Sequence, residues 1–269
     1  MKKITETGIF ELSNEEYHQQ AALNKSGLVQ LAKSPAHFYE WYHAAEEEPT
    51  RAMELGTATH MVILEPDKYD QSLIIAPEVD KRTKAGKEEW ALFEKRAKGK
   101  IILNPDEASA IVGMKESVYN NTTAYDLLLE GASEQSIFFK DPAHGFLCKV
   151  RPDWYTNDRK VVDIKTCLDA GYEGFSRAIA NFKYHWQALF YLDGLTAVTG
   201  KQHNKFIFIA VEKEPPYAVA VYEATKDMLH TAQKQIAPIL DCYAKCLKTD
   251  VWPGYKDELQ QIGLPRWAA

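Results

Sequence analysis

The stretch VRPDWYTNDRKVVDIKT, residues 150–166, sets Asp163 and Lys165 two apart inside a run that otherwise reads as a buried strand, with Asp153 ten residues before Asp163. Alternate residues of a strand face alternate sides, so Asp163 and Lys165 share one face while Val162 and Ile164 enter the opposite layer. A tight turn at Thr156 to Arg159 folds Asp153 back beside Asp163 in an antiparallel pair. Two carboxylates that close repel and raise each other's pKa unless a counter-ion intervenes. A divalent cation removes that penalty, and oxygen-rich ligand sets suit Mg²⁺ or Mn²⁺. The plain alternative is a surface salt bridge, Asp163 with Lys165 or Asp153 with Arg151, worth about 0 to 1 kcal/mol.

The surroundings of this stretch are those of a folded α/β chain. With 269 residues, 45% hydrophobic and 26% charged, there is enough apolar material for one sizeable core. The expectation is a single domain over 1–269 whose part from about 14 to 50 is helical. NEEYHQQ and SGLVQLAK read as helices, and Ser34-Pro35 restarts helical sequence through SPAHFYEWYHAAEEE to residue 46, with Ser34 as N-cap. Phe38, Tyr39, Trp41 and Tyr42 are assigned to the core. MELGTATHMVIL, residues 53–64, reads as a helix whose Gly56, Thr57 and Ala58 let a neighbouring backbone come close.

A further helix is expected over 106–130. Three strands follow, SEQSIFFKD, GFLCKVRPDWY and KVVDIKT, joined by turns at DPAHG and TNDR into an antiparallel meander. Helical sequence from about Gly171 to Thr199, the strand KFIFIAVE, the segment PYAVAVYEA and a long helix to about Leu247 complete the pattern.

Net charge and cysteines narrow the chemistry. A formal charge of −6 supplies no bulk positive field, so any nucleic acid must be met by a local basic surface or by metal ions. The densest basic run, residues 79–100, places Lys81, Arg82, Lys84 and Lys87 in a loop before a helix. Of the four cysteines, Cys242 and Cys246 are i, i+4 on a helix and lack the tight pairs of zinc or iron–sulfur sites, so reduced thiols are expected. The first residues lack the apolar core of a signal peptide, and no run of about 18 apolar residues occurs, which points to a cytoplasmic protein.

Strand, turn, strand, carboxylate, apolar residue, lysine is the pattern of the PD-(D/E)xK nucleases. It stands here as Pro152-Asp153 and Asp163-Ile164-Lys165, with Glu134 upstream. Gln187 and Tyr191 in YHWQALFYLDGL form a QxxxY pair on one helical face, and His60 in LGTATH occupies an upstream histidine position. In this ordered set the chain resembles the RecB-like subset of that superfamily, and within it the RecE-type exonucleases. The stretches that carry the resemblance are ELSNEEYH, LNKSGLVQLAKSPAHFY, LGTATHMVILEPDKY, KRTKAGKEE, GFLCKVRPDW, VVDIKT, YHWQALFYLDG, CLKTDVWP and LPRWA, spread from Phe10 to Trp267. They do not include the long additional N-terminal region of a full-length RecE, which implies a free-standing nuclease.

That resemblance implies a restriction-endonuclease-like mixed central sheet flanked by helices. It also implies 5′ to 3′ digestion of linear double-stranded DNA, a 3′ single strand left for a RecT-like annealing protein, and a homotetrameric ring. By the same resemblance His60, Asp153, Asp163 and the Ile164 carbonyl ligate Mg²⁺, with Mn²⁺ as an alternative, and Lys165 activates or orients water and stabilises charge on the phosphate. Glu134 holds a second metal or its water, while Gln187 and Tyr191 position Lys165 and the DNA backbone. Lys81, Arg82, Thr83 and Lys87 are candidates for gripping phosphates, against the reading that they form a solvated loop. Two other classes compete. A Cas4-like enzyme requires cysteines before His60 and a cluster near the C-terminus, and all four cysteines lie after His60 with only two near each other. A non-catalytic DNA-binding protein of this fold predicts loss of Asp153, Asp163 or Lys165, and all three are present.

Overall fold

A computed structural model describes residues 3–44 and 48–264. The chain opens with strand β1 (Gly8–Phe10) and helices α1 (Asn14–Gln19), α2 (Lys25–Lys33), α3 (Pro35–His43) and α4 (Arg51–Leu64). Next come α5 (Tyr69–Ser72), β2 (Leu73–Ile75), α6 (Lys84–Ala97), β3 (Ile101–Leu103), α7 (Pro105–Asn120) and α8 (Thr122–Leu128). The strands β4 (Gly131–Ser133), β5 (Ser136–Lys140), β6 (Leu147–Val150), β7 (Trp154–Thr156) and β8 (Val161–Cys167) lead into α9 (Tyr172–Phe182) and α10 (Tyr184–Thr199). Strands β9 (Phe206–Glu212) and β10 (Val219–Glu223) precede α11 (Lys226–Thr249).

Local sequence sets the helix starts. Ser13 and Asn104 close reciprocal capping boxes with Glu16 and Glu107, and Asn24, Ser34, Thr50, Thr83, Asn121 and Thr225 each accept from an amide of the first turn. Each such cap contributes about 1 kcal/mol.

A five-stranded sheet in the order β10-β9-β8-β7-β4 forms the centre, with β8 and β9 parallel and the other pairs antiparallel. Strand alternation divides its side chains between two cores. Val161, Phe206, Phe208 and Ala210 face one that includes residues of α2, α9, α10 and α11. Val162, Ile164, Ile207, Ile209 and Val211 face the other, which is covered by α4, α7 and α8. This is the mixed sheet flanked by helices that the sequence predicts. A smaller antiparallel sheet, β1-β5-β6, packs on α10, where a Cβ added at Gly194 would come within 2.7 Å of the Phe139 ring. Strands β2 and β3 form a separate parallel pair.

Several expectations need correction. The meander is divided: β5 pairs β6 in the small sheet, whereas β7 pairs β8 in the large one. GFLCKVRPDWY is interrupted at Arg151–Asp153, where Pro152 has no amide hydrogen to continue a ladder. The helix expected over 106–130 breaks at Asn121, which caps α8, and the segment from Gly171 breaks at Lys183, which is left-handed at φ 57°. Gly56 meets no heavy atom within 4 Å of a built Cβ, so no backbone packs there. Of the four aromatics assigned to the core, Phe38 is buried and Tyr39, Trp41 and Tyr42 are exposed. Lys84 and Lys87 lie in the first turn of α6 rather than in the loop before it. Residues 45–46 of the expected helix, and LPRWA from Pro265 onward, fall outside the described residues.

One buried charge belongs to the scaffold. Lys149 on β6, 3% exposed, donates from Nζ to the carbonyls of Tyr17 at 2.7 Å, His18 at 3.0 Å and Gln20 at 2.8 Å. These carbonyls cluster at the C-terminal end of α1, where a helix leaves acceptors unused and favours a cation. All four cysteines are free thiols. Among the described residues no helix is long and apolar enough to cross a membrane.

Candidate active site

The site lies on the seam between the two sheets, where the chain crosses from one to the other twice. The first crossing follows β4, which ends in the pair Ser133↔Trp154. Glu134 comes next at φ 50° and donates its amide to the Asp153 carbonyl at 3.1 Å before the chain enters β5. A left-handed conformation costs a residue with a Cβ about 1–2 kcal/mol. It turns the chain out of the large sheet, and the amide bond to Asp153 holds it there. The second crossing is Arg151-Pro152-Asp153, between β6 and β7.

At the second crossing an unpaired strand edge is used. β7 pairs β8 only at Trp154↔Val162 and Tyr155↔Val161, so beyond Val162 the outer edge of β8 has no strand beside it. A buried amide without a partner is costly. Ile164 instead donates its amide to Asp153 Oδ2 at 2.8 Å. In a strand a residue's amide and carbonyl point to the same side, so the Ile164 carbonyl opens toward the same edge. That carbonyl also acts on the His60 imidazole, favouring its protonated form.

His60 reaches the seam from α4, with Nδ1 at 3.5 Å from Asp153 Oδ2. One ligand atom each from His60, Glu134 and Asp153 lie within 4.8 Å of one another. Arg151 steadies the group from behind, its Nε at 2.6 Å from Glu134 Oε2 and its Nη1 bonded to Ser136 Oγ at 2.9 Å and to the Leu12 carbonyl at 3.1 Å.

Asp163 and Lys165 project from β8 onto the face covered by α10. Asp163 is completely buried, with Lys165 Nζ 2.6 Å from its Oδ2 and Gln187 Nε2 donating to its Oδ1 at 2.5 Å. Among the described residues the ammonium is thus the one polar partner of Oδ2. α10 is fixed in rotation by Gln235 of α11, whose Oε1 accepts from Trp186 Nε1 at 2.7 Å and lies 2.8 Å from His185 Nε2. The Lys165 ammonium sits 4.9 Å from the centre of the Tyr184 ring.

Burial and crowded charge set the protonation states. Burial, then Asp163, push the Asp153 carboxyl well above its ordinary range. Glu134 is raised by burial and by Asp153, with Arg151 opposing. Burial and then the Lys165 cation lower His60, leaving a neutral imidazole able to ligate. For Lys165 burial opposes the charge, but Asp163 and Asp153 outweigh it and its pKa rises. Without a cation the cluster prefers a proton on a carboxylate. Two raised carboxyls and a neutral imidazole, with the Ile164 carbonyl at the same edge, form a nitrogen–oxygen donor set suited to a divalent ion.

The structure thus brings together His60, Glu134, Asp153, Asp163, Ile164, Lys165 and Gln187. It also redistributes them. Glu134, expected to hold a second metal or its water, stands in the compact group with His60 and Asp153, while Asp163 faces Lys165 and Gln187. Gln187, expected to position Lys165, bonds Asp163. Tyr191 packs 6.2 Å from the Phe206 ring with its pKa raised by burial, Tyr17 and then the site carboxylates. Arg151 pairs with Glu134 and not with Asp153.

The basic segment stands apart from this constellation. Thr83 caps α6 and Lys81 lies 3.0 Å from the centre of the Trp90 ring, and among the described residues no hydrogen bond or ion pair ties 81–87 to the site. Sequence reasoning missed Arg151 as a brace, although it immediately precedes Pro152-Asp153. It also missed Lys25 and Tyr184, which lie within stretches that carry the family resemblance without a role attached.

Comparison with known proteins agrees with this architecture. The crystal structure of a "putative exonuclease" from Eubacterium rectale superposes with a TM-score of 0.64 at 14% identity, covering 95% of this chain and 97% of that one. An alkaline exonuclease from Laribacter hongkongensis is also similar, at 16% identity over 63% of this chain and 86% of that one, but its TM-score of 0.28 adds nothing to the assignment. No curated protein matches the sequence. Residues 24–263 match the family described as "PDDEXK-like domain of unknown function (DUF3799)". The chain, with its Pro152-Asp153 and Asp163-Ile164-Lys165 meeting at the seam of two sheets, belongs to that PDDEXK-like family.

Proposed function

We propose that this protein is a metal-dependent 5′ to 3′ exodeoxyribonuclease of RecE type, a single domain that degrades linear double-stranded DNA and leaves 3′ single strands for recombination by annealing. The observation that carries the reading is the convergence of His60, Glu134 and Asp153 beside the Lys165 ion pair with buried Asp163. His60, Asp153, Asp163 and the Ile164 carbonyl are the proposed ligands of Mg²⁺ or Mn²⁺, with Glu134 joining them or binding through water. A bound divalent cation supplies polarisation of the scissile phosphate and acidification of water.

The chain's own groups do the rest. Lys165, held charged by Asp163, orients the attacking water and meets the charge that builds on phosphate oxygens. Gln187 fixes the Asp163 carboxylate so that Lys165 keeps its direction, and Arg151 does the same for Glu134. Lys81, Arg82, Thr83 and Lys87 are proposed to contact the DNA backbone, which carries no base information, in keeping with an enzyme that must act on any sequence. In this reading the partners are duplex ends, a RecT-like annealing protein and further copies of the chain in a ring.

The test is digestion of linear duplex labelled at its 5′ or 3′ end, with Mg²⁺ or EDTA, beside an Asp163→Ala variant. Metal-dependent release of the 5′ label that disappears in the variant is expected. Release of the 3′ label first would overturn the direction, and no metal-dependent release would overturn the enzyme.

A further inference from the structure

The edge of the site carries an aromatic surface that the chemistry above leaves unused. Phe182, the last residue of α9, is 59% exposed. Its ring stacks on Tyr184, with centroids 5.6 Å apart and planes 27° from parallel. The Tyr184 ring in turn lies beneath the Lys165 ammonium, so Lys165, Tyr184 and Phe182 form one continuous file from the buried site to solvent. A lone exposed aromatic is ordinary; one stacked directly on the wall of a catalytic site is better placed to meet what enters it.

A cation accompanies this file. Lys25, the first residue of α2, donates from Nζ to the Phe182 carbonyl at 2.7 Å, and its ammonium lies 5.7 Å from the centre of the Tyr184 ring. Among the described residues no carboxylate pairs with it. Burial and then the neighbouring Lys165 lower its pKa to about 8 against the opposing pull of Asp163, and an arriving anion would raise it again. An aromatic face open to solvent beside a cation that no carboxylate among the described residues pairs with matches the two halves of a nucleotide, a base with a π-face and a phosphate.

We propose that Phe182, supported by Tyr184 and Lys25, binds the nucleotide next to the scissile phosphate, its base stacked on Phe182 and its phosphate paired with Lys25. The assignment rests on the nuclease reading of the site and deepens it: the end of the substrate strand is held unstacked from its duplex. Recognition of this kind is indifferent to base identity, because every base offers a π-face.

The test uses the full chain with a duplex carrying 2-aminopurine at its terminal position, with Ca²⁺ replacing Mg²⁺ to suppress cleavage. Binding is expected to change the probe's fluorescence as it leaves the duplex stack and meets Phe182. Phe182→Ala should abolish that change and raise KM about tenfold, with the loss falling chiefly on KM, while Phe182→Trp restores both. Lys25→Gln should raise KM on its own and steepen with salt less than the parent, as expected when a phosphate contact is removed. A wild-type protein that cuts DNA while Phe182→Ala keeps both the parental KM and fluorescence response would overturn the platform alone. If Phe182→Ala instead dissociates an oligomer with those readouts unchanged, the ring covers a subunit interface and the assignment is equally overturned. A wild-type protein that does not cut DNA overturns the underlying reading.

Discussion

Two lysines point into this protein from different strands, Lys149 buried and Lys165 half-buried, and their surroundings separate a scaffold from the candidate site. Lys149 on β6 directs its ammonium at three backbone carbonyls, one for each N–H it can offer. Lys165 on β8 meets one carboxylate oxygen, Asp163 Oδ2, and the face of a tyrosine. Lys149 is 3% exposed, whereas the Lys165 side chain is 15% exposed. They differ as well in whether the N–H groups of the charge are used up, and that difference marks which lysine can take on a new partner.

The comparison breaks most directly at Lys165. Lys165→Ala should lower DNA cleavage about a hundredfold to a thousandfold, the range for removing one group that stabilises developing charge. Its thermal midpoint should fall, since the buried Asp163 carboxylate loses its cation, but the variant should remain folded. A variant that unfolds instead would make Lys165 a scaffold residue. Lys149→Ala has the opposite signature: three carbonyls lose their donor, and about 3 kcal/mol of stability should go with it, seen as a lower denaturant midpoint. Folded Lys149→Ala that cleaves DNA at the parental rate would sharpen the distinction.

A third outcome concerns the group formed by His60, Glu134 and Asp153. Mn²⁺ at about a hundred times its dissociation constant should stabilise the wild type by about 2.7 kcal/mol, since a ligand bound only by the folded state adds that much. Glu134→Gln and Asp153→Asn should each reduce the shift, as measured by thermal unfolding with and without EDTA.

The smallest effect comes from a charge whose partners are satisfied but near solvent. His144 Nδ1 lies 2.7 Å from Asp141 Oδ1 and its Nε2 lies 3.0 Å from Asp241 Oδ1, tying the β5–β6 hairpin to α11. The hydrogen bond to Asp141 leads a rise in its pKa. A raised histidine contributes stability that is full below its ordinary pKa and fades as pH climbs through the raised value. The unfolding midpoint should therefore dip slightly across that range, and His144→Gln should flatten the dip. A dip that persists in the variant would assign it to another group.

Much of the site could be read from the sequence because it is written in short-range periodicity. The two-residue spacing put Asp163 and Lys165 on one face of β8, and the four-residue spacing put Gln187 and Tyr191 on one face of α10. Other features depend on long-range pairing that no local pattern encodes. GFLCKVRPDWY looks like one strand, yet it leaves one sheet and enters another at Pro152, because β6 finds β5 while β7 finds both β4 and β8. The same pairing places Glu134 beside Asp153. Tyr39, Trp41 and Tyr42 were misplaced for a related reason: composition marks them as apolar, while only packing shows that Phe38 takes the buried position.

The seam carries a consequence for how the molecule tolerates rearrangement. Glu134 and Asp153 ride on two separate bridges of chain, and the hairpin between those bridges turns far from either one, at Asp141–Gly145. New termini opened in that turn would leave both bridges whole, so a circularly permuted protein should still bring Glu134 and Asp153 together from a reordered chain.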